Sequence, residues 1–251
     1  MAGHSQYSNI KHRKAAVDKK RSKLWSKLSK AIQVAAKLGG GDPNTNSRLK
    51  NAIIDAKAVS MPKDNIERAI KAGTGDLGGN DVEEILYEGY GPHGVAVMCE
   101  IMTDNRNRTA PELRKIFEKH GGNLGATGCV GYLFDRKGLF LIAKEKAPED
   151  RLFEVAMEAG AEDIKMEGDY HEVFCTPDAF SGVSESLESA QIECESQQVT
   201  RIPQTTVELD IDQARDVLAF MEALDDHDDV QNVSSNYEIS DEIMSQLESA
   251  S

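Results

Sequence analysis

The spacing of apolar residues changes near residue 78, and the two patterns require different cores. From Ser22 onward Leu24, Leu28, Ala31, Ile32, Ala35 and Leu38 recur every three or four residues, the period of an amphipathic helix, until Gly39-Gly40-Gly41 stops it. After an Asp42-Pro43-Asn44 turn, Leu49, Ala52, Ile53, Ala56 and Val59 mark a second helix. Pro62 opens a third, with Ile66, Ala69 and Ile70, and Gly73 ends it. Beyond the glycine-rich run Gly73 to Asn80 the chain reads as short strands between helices. Val82 to Tyr87 and Val95 to Met102 are strands. Thr103-Asp104-Asn105 offers N-caps for a helix carrying Leu113, Ile116 and Phe117, and Cys129 to Phe134 reads as a further strand.

Residues 138–202 run strand, helix, two strands, helix, strand, the βαββαβ order of a ferredoxin-like unit. The C-terminal stretch offers a strand at Thr206 to Leu209, a helix with Ala214, Val217, Leu218 and Met221, and a strand at Val230 to Tyr237. One helix and its flanking strands are too little to bury a core, so they complete the sheet begun near residue 80. The expected fold class is therefore α+β and multidomain: an N-terminal three-helix domain plus two α/β domains, the third, ferredoxin-like, inserted in the second. The expected boundaries are 1–78 for a basic arm and helical domain, 79–135 with 204–240 for a discontinuous α/β domain, 136–203 for the insertion, and 241–251 for a frayed acidic tail. At 251 residues, two or three small domains are the natural division.

Charge divides along the same line. Residues 1–75 hold 16 Lys and Arg against 5 Asp and Glu, a net +11, whereas the remainder holds 13 against 38, a net −25. A polyanion is attracted to the first part and repelled by the second. The alternative is that the basic segment docks on the acidic part of its own chain or of a second copy. Lys20, Lys23, Lys27, Lys30 and Lys37 fall within one stripe about 100° wide on the first helix, beside its apolar face.

No segment has the length of a membrane span and the start lacks the apolar core of a signal peptide, so a cytoplasmic location away from membranes is expected. Cys99, Cys129, Cys175 and Cys194 are widely separated and read as reduced core residues. Two GxGxxG matches carry little weight. Gly73 to Gly78 follows a helix, and Gly89 to Gly94 contains Pro92 and leads into a strand, so neither delivers a phosphate to a helix N-terminus. No Walker A, HExxH or GxSxG pattern is present, and no catalytic residue, metal or cofactor is assigned. Asp225-Asp226-His227-Asp228-Asp229 lacks the glycine and glutamate of an EF-hand and reads as a solvated helix end. Arg106 and Arg108 stand at a helix start, where the dipole disfavours cations. Either a bound phosphate or carboxylate, or an ion pair with the acidic part of the chain, would hold them there.

Several strings closely resemble the YebC family: Ala2-Gly3-His4-Ser5, Asn9 to Lys14, Tyr87 to Pro92, Thr103 to Thr109, Gly121 to Gly125 and Asp228 to Val233. They occur in the family's order and span the chain. The resemblance implies one helical and two α/β domains. It also implies a DNA-binding transcriptional regulator, or alternatively a factor acting in translation at the ribosome on ribosomal or transfer RNA. Gln6-Tyr7 stands where the family often has Lys-Trp, His93 where Gly is common and Ser234 where Tyr is common.

The expected activity is non-enzymatic binding of nucleic acid, DNA or RNA, with the ribosome as a further partner and the oligomeric state open. The candidate contacts are His4, Tyr7, Lys11, His12, Arg13, Lys14, Lys19, Lys20, Arg21, Lys23, Lys27, Lys30, Lys37, Arg106 and Arg108, with Tyr7 and Trp25 as stacking groups and Trp25 equally readable as core.

Overall fold

The computed structural model describes residues 21–77 and 82–249. Helices α1 (Arg21–Gly39), α2 (Ser47–Ala58) and α3 (Lys63–Gly73) form the N-terminal domain, with α2 and α3 both packed on α1. Ile32, Ala35 and Ala36 meet Leu49, Ala52, Ala56, Ile66 and Ala69 in its core. Asn46 joins the first two helices. Its side chain accepts from Leu49 N, capping α2, and donates to Ala35 O and Gly40 O, satisfying carbonyls at the end of α1. Gly40 has φ +85°, the left-handed conformation that lets α1 end there.

The second domain opens with the antiparallel hairpin β1 (Glu83–Tyr90) and β2 (Ala96–Thr103), then α4 (Arg106–Lys119) and the short β3 (Asn123–Leu124). It resumes after the insertion with β8 (Val207–Glu208), α7 (Ile211–Asp225), β9 (Val230–Ser235), β10 (Tyr237–Glu238) and α8 (Asp241–Ser249). The sheet order is β3-β1-β2-β9, so β9 from beyond the insertion pairs with β2 and completes the sheet, while β10 pairs with β8 in a separate two-stranded sheet. Helices α4 and α7 bury Leu113, Phe117, Val217 and Phe220 against Val97, Cys99, Ile101 and Val233. Phe117 and Phe220 meet edge to face, 4.9 Å between centroids.

The insertion comprises β4 (Phe134–Ala143), α5 (Glu149–Glu158), β5 (Ala161–Glu167), β6 (Tyr170–Cys175), α6 (Phe180–Ser189) and β7 (Ser196–Pro203). Its sheet order, β5-β6-β4-β7, is that of a ferredoxin-like unit, with every neighbouring pair antiparallel. The helices cover Phe140, Ile142 and Val173.

Two expectations are corrected. The strand expected over Cys129 to Phe134 begins only at Phe134: the backbone before it turns and makes a short 3₁₀ segment at Gly131–Leu133, because the N–H groups of Gly128, Val130 and Gly131 are taken by the Glu88 carboxylate. Residues 241–249 are not frayed but helical, because Ile243, Met244 and Leu247 fall on one side of α8 and pack on the core of the second domain. The four cysteines are free, as expected; burial pushes the Cys194 thiol up to about 11.

Candidate nucleic-acid interface and the interdomain junction

Three of the five stripe lysines face inward across the boundary between the first two domains. Lys23 Nζ donates to Asp226 O at 2.9 Å, Lys27 Nζ to Asp225 O at 2.7 Å and Lys30 Nζ to Asp228 O at 3.2 Å. These carbonyls lie at the end of α7 and in the turn beyond it, where the helix dipole leaves partial negative charge and unpaired acceptors. Lys30 also bonds the Asp229 carboxylate, and Lys23 lies 3.9 Å from Asp228. The spacing on α1 explains the fit: lysines at i, i+4 and i+7 present one ladder of ammonium groups to one helix end.

Asp229 is the centre of this junction and not, as its acidic neighbours suggest, part of a solvated helix end. It is 1% exposed. Its oxygens accept from Lys30, from Arg108 Nη2 at 2.8 Å, from Thr109 Oγ1 at 2.6 Å and from Thr103 Oγ1 at 3.1 Å. Burial alone would raise its pKa. The bonds from Lys30, Thr109 and Arg108 outweigh burial and hold the carboxyl well below the usual range. A buried carboxylate at the α7–β9 turn therefore gathers the N-terminus of α4, the end of β2 and the N-terminal domain around one charge.

Of the two readings left open for the helix-start arginines, the ion pair is the arrangement seen. Arg108 spans Asp229 and Asp104, and Arg106 Nε lies 3.7 Å from Glu83. Asn105 caps α4 by accepting from Arg108 N. Trp25 packs on the helical core and donates its indole N–H to Val59 O at 3.3 Å, closing the end of α2. It serves there as core. Lys37 is exposed near the end of α1. His4, Tyr7, Lys11, His12, Arg13, Lys14, Lys19 and Lys20 lie outside the described residues, and for Arg21 only the backbone is described.

Glu112, His227 and Asp229 bring one ligand atom each within 4.8 Å of one another. The set does not suit a cation. His227 Nδ1 accepts from Asp229 N at 3.1 Å, so the ring proton sits on Nε2 and is donated to Glu112 at 3.0 Å. Both nitrogens are committed, and Lys30 and Arg108 already supply positive charge at Asp229. An open cleft of about 860 Å³ runs along this junction, lined among others by Ser26, Ser29, Gln33, Asp104 and Glu112.

The outer faces of α2 and α3 hold further basic residues that sequence reasoning missed. Lys50 and Lys57 on α2, with Arg68 and Lys71 on α3, are exposed and carry no ion pair among the described residues. Lys50, Ile54 and Lys57, at i, i+4 and i+7, point away from buried Leu49, Ala52 and Ala56. The same periodicity that locates the core locates this face by subtraction.

Residues 5–76 match the model of the TACO1/YebC protein N-terminal domain, and residues 82–237 match that of the TACO1/YebC second and third domain. A probable transcriptional regulatory protein of Rhodopirellula baltica is 58% identical over 98% of this chain and 100% of its own length. One of the same description from Geobacter sulfurreducens is 54% identical over 98% and 100%. The crystal structure of a conserved hypothetical protein from Aquifex aeolicus superposes with a TM-score of 0.83 at 48% identity, covering 92% of this chain and 95% of that one.

Proposed function

The chain belongs to the TACO1/YebC family, and from that premise we propose that it is a cytoplasmic, non-enzymatic regulator that binds nucleic acid, DNA in the first instance, through its N-terminal domain. The observation that carries this reading is the charge split: +11 over residues 1–75 against −25 over the rest. Docking accounts for only part of the basic charge. Lys23, Lys27, Lys30 and Arg108 are engaged at the junction, whereas Lys50, Lys57, Arg68 and Lys71 stay exposed without ion pairs among the described residues. The basic arm adds Lys11, Arg13, Lys14, Lys19 and Lys20. The name shared by the relatives, probable transcriptional regulatory protein, supports the choice of DNA. No helix among the described residues is long and apolar enough to cross a membrane.

Phosphate contacts set affinity without reading sequence, so the test is electrostatic. The full chain is titrated with duplex DNA across a salt series, beside a variant with Lys50, Lys57, Arg68 and Lys71 all changed to Gln. The slope of log affinity against log salt should shrink by about 0.9 for each phosphate contact removed, with the melting temperature unchanged because these side chains are exposed. A full chain with no affinity for DNA at low salt would sink the proposal.

A further inference from the structure

Exposed apolar side chains on the acidic part of the molecule fall into two kinds of surroundings. Phe153 and Met157 lie one turn apart on the outer face of α5, with Glu149, Asp150 and Glu154 on the adjoining turn positions. A polyanion is repelled there. Tyr90 and Tyr132 are different. They are 37% and 68% exposed, the Tyr132 side chain lies near enough to push the Tyr90 phenol up, and no acidic residue stands between Glu118 and Asp135 in the loop that carries Tyr132. The Glu88 carboxylate beneath this loop is buried and turned inward onto Gly128, Val130 and Gly131 N–H groups at 2.7 to 3.0 Å. On α7, Asp216 is faced by His93 Nε2 at 2.9 Å.

The tyrosines are also held firmly. A Cβ on Gly89 would lie 2.5 Å from Asn123 O, and one on Gly122 would lie 2.6 Å from Tyr90 O, so only glycine lets the two loops lie in contact. Residues 125–131 are tied down by the Glu88 carboxylate and by the Gly125 N to Glu88 O bond of 2.8 Å. Two exposed rings, one of them on a glycine-rich loop that carries no carboxylate of its own, have the makings of a stacking platform.

We propose that Tyr90 and Tyr132 form a binding site for an unpaired base of single-stranded nucleic acid, while the basic N-terminal domain supplies the phosphate contacts. The site rests on the nucleic-acid reading above and extends it: lysines serve duplex and single strand alike, but stacking on an exposed ring requires a base that is out of its pair. The platform lies at the hairpin end of β1, where Tyr90 pairs with Ala96, and the lysine junction lies beyond the other end, where Glu83 pairs with Thr103. Base and phosphate contacts are thus made by separate surfaces that substitutions can separate.

The experiment measures binding of the full chain to a short oligoadenylate and to a DNA duplex of equal length. Tyr132→Ala should weaken oligoadenylate binding about ten-fold, the scale of one lost base stack, and leave the duplex unchanged. Tyr132→Phe should bind like the parent, since the ring and not the hydroxyl carries the contact. The Tyr90→Ala, Tyr132→Ala double variant should be weaker still on oligoadenylate alone. Parental oligoadenylate affinity in the double variant, or an equal loss on both probes, overturns the platform. A parent chain that binds the duplex but not oligoadenylate also overturns it and leaves the proposed function standing; one that binds neither removes both.

Discussion

Asp229 and Glu88 are both buried carboxylates of the same domain, and they are neutralised in opposite ways. Asp229 is met by side chains from three separate segments: Lys30 of the N-terminal domain, Arg108 and Thr109 of α4, and Thr103 of β2. Glu88 is met by three backbone N–H groups of one loop, Gly128, Val130 and Gly131. The first arrangement ties domains together and depends on cations that come from elsewhere. The second closes a local loop and carries its own compensation. Burial opposes the charge in both, and in both the bonds prevail and hold the carboxyl below its ordinary range.

Removing each charge should separate the two roles. Asp229→Asn takes the carboxylate away from Lys30 and leaves Arg108 only the partly exposed Asp104, and it should cost about 3 kcal/mol of stability. It should also change the solution scattering profile as the N-terminal domain loosens. Glu88→Gln keeps part of the loop bonding, should cost about 2 kcal/mol, and should speed hydrogen exchange over residues 125–133 without altering the scattering. If both variants change the scattering alike, the distinction between an interdomain and a local carboxylate is lost.

The pH dependence should distinguish these groups from the exposed ion pairs. Each carboxyl has a lower pKa folded than unfolded, so its stabilisation is full above the unfolded value and is lost as pH falls through the folded one. Denaturation midpoints should therefore be flat between about pH 5 and 7 with respect to these two groups and fall below about pH 4. Glu88→Gln and Asp229→Asn should each flatten part of that acid limb. An acid limb unchanged in both variants would mean that neither carboxylate drives it.

The smallest effect is expected at the edge of the junction. Lys23 and Lys27 bond main-chain carbonyls at the partly exposed end of α7, so changing both to Gln should cost less than about 1 kcal/mol and weaken with added salt. A cost equal to that of Asp229→Asn would make the ladder, and not the buried carboxylate, the true tie between the domains.

How far the sequence leads is clearest at these same residues. Apolar spacing locates α1, α2 and α3, and the order of elements identifies the ferredoxin-like insertion and the return of β9 to the first sheet, because those patterns are local and periodic. Spacing also places Lys23, Lys27 and Lys30 on one face of α1, but a face has no label for its occupant; phosphate and the end of α7 demand the same ammonium groups. Asp229 is hidden among four other ionisable residues, since burial is decided by what packs over a turn. Glu88 gives no sign, because its partners are backbone N–H groups that every non-proline residue possesses. The same carboxylate diverts Cys129 to Leu133 from a β-rich pattern into a turn. In α8 the acidic composition masks Ile243, Met244 and Leu247, whose spacing holds the signal.

The insertion leaves and re-enters its host through paired strands, Phe134 standing opposite Pro203 where β4 meets β7. Neighbouring strands lie about 5 Å apart, so once the inserted unit has folded the host sees its two halves joined by a short closed stem instead of a long flexible loop. The pairing of Val97 with Ser235 that completes the host sheet spans most of the chain in sequence, yet far less of it in contour once the stem exists. Since the entropic cost of closure grows with the length of free chain, the insertion acts as a splint for the domain it interrupts, and β9 can find β2 with most of the search already done.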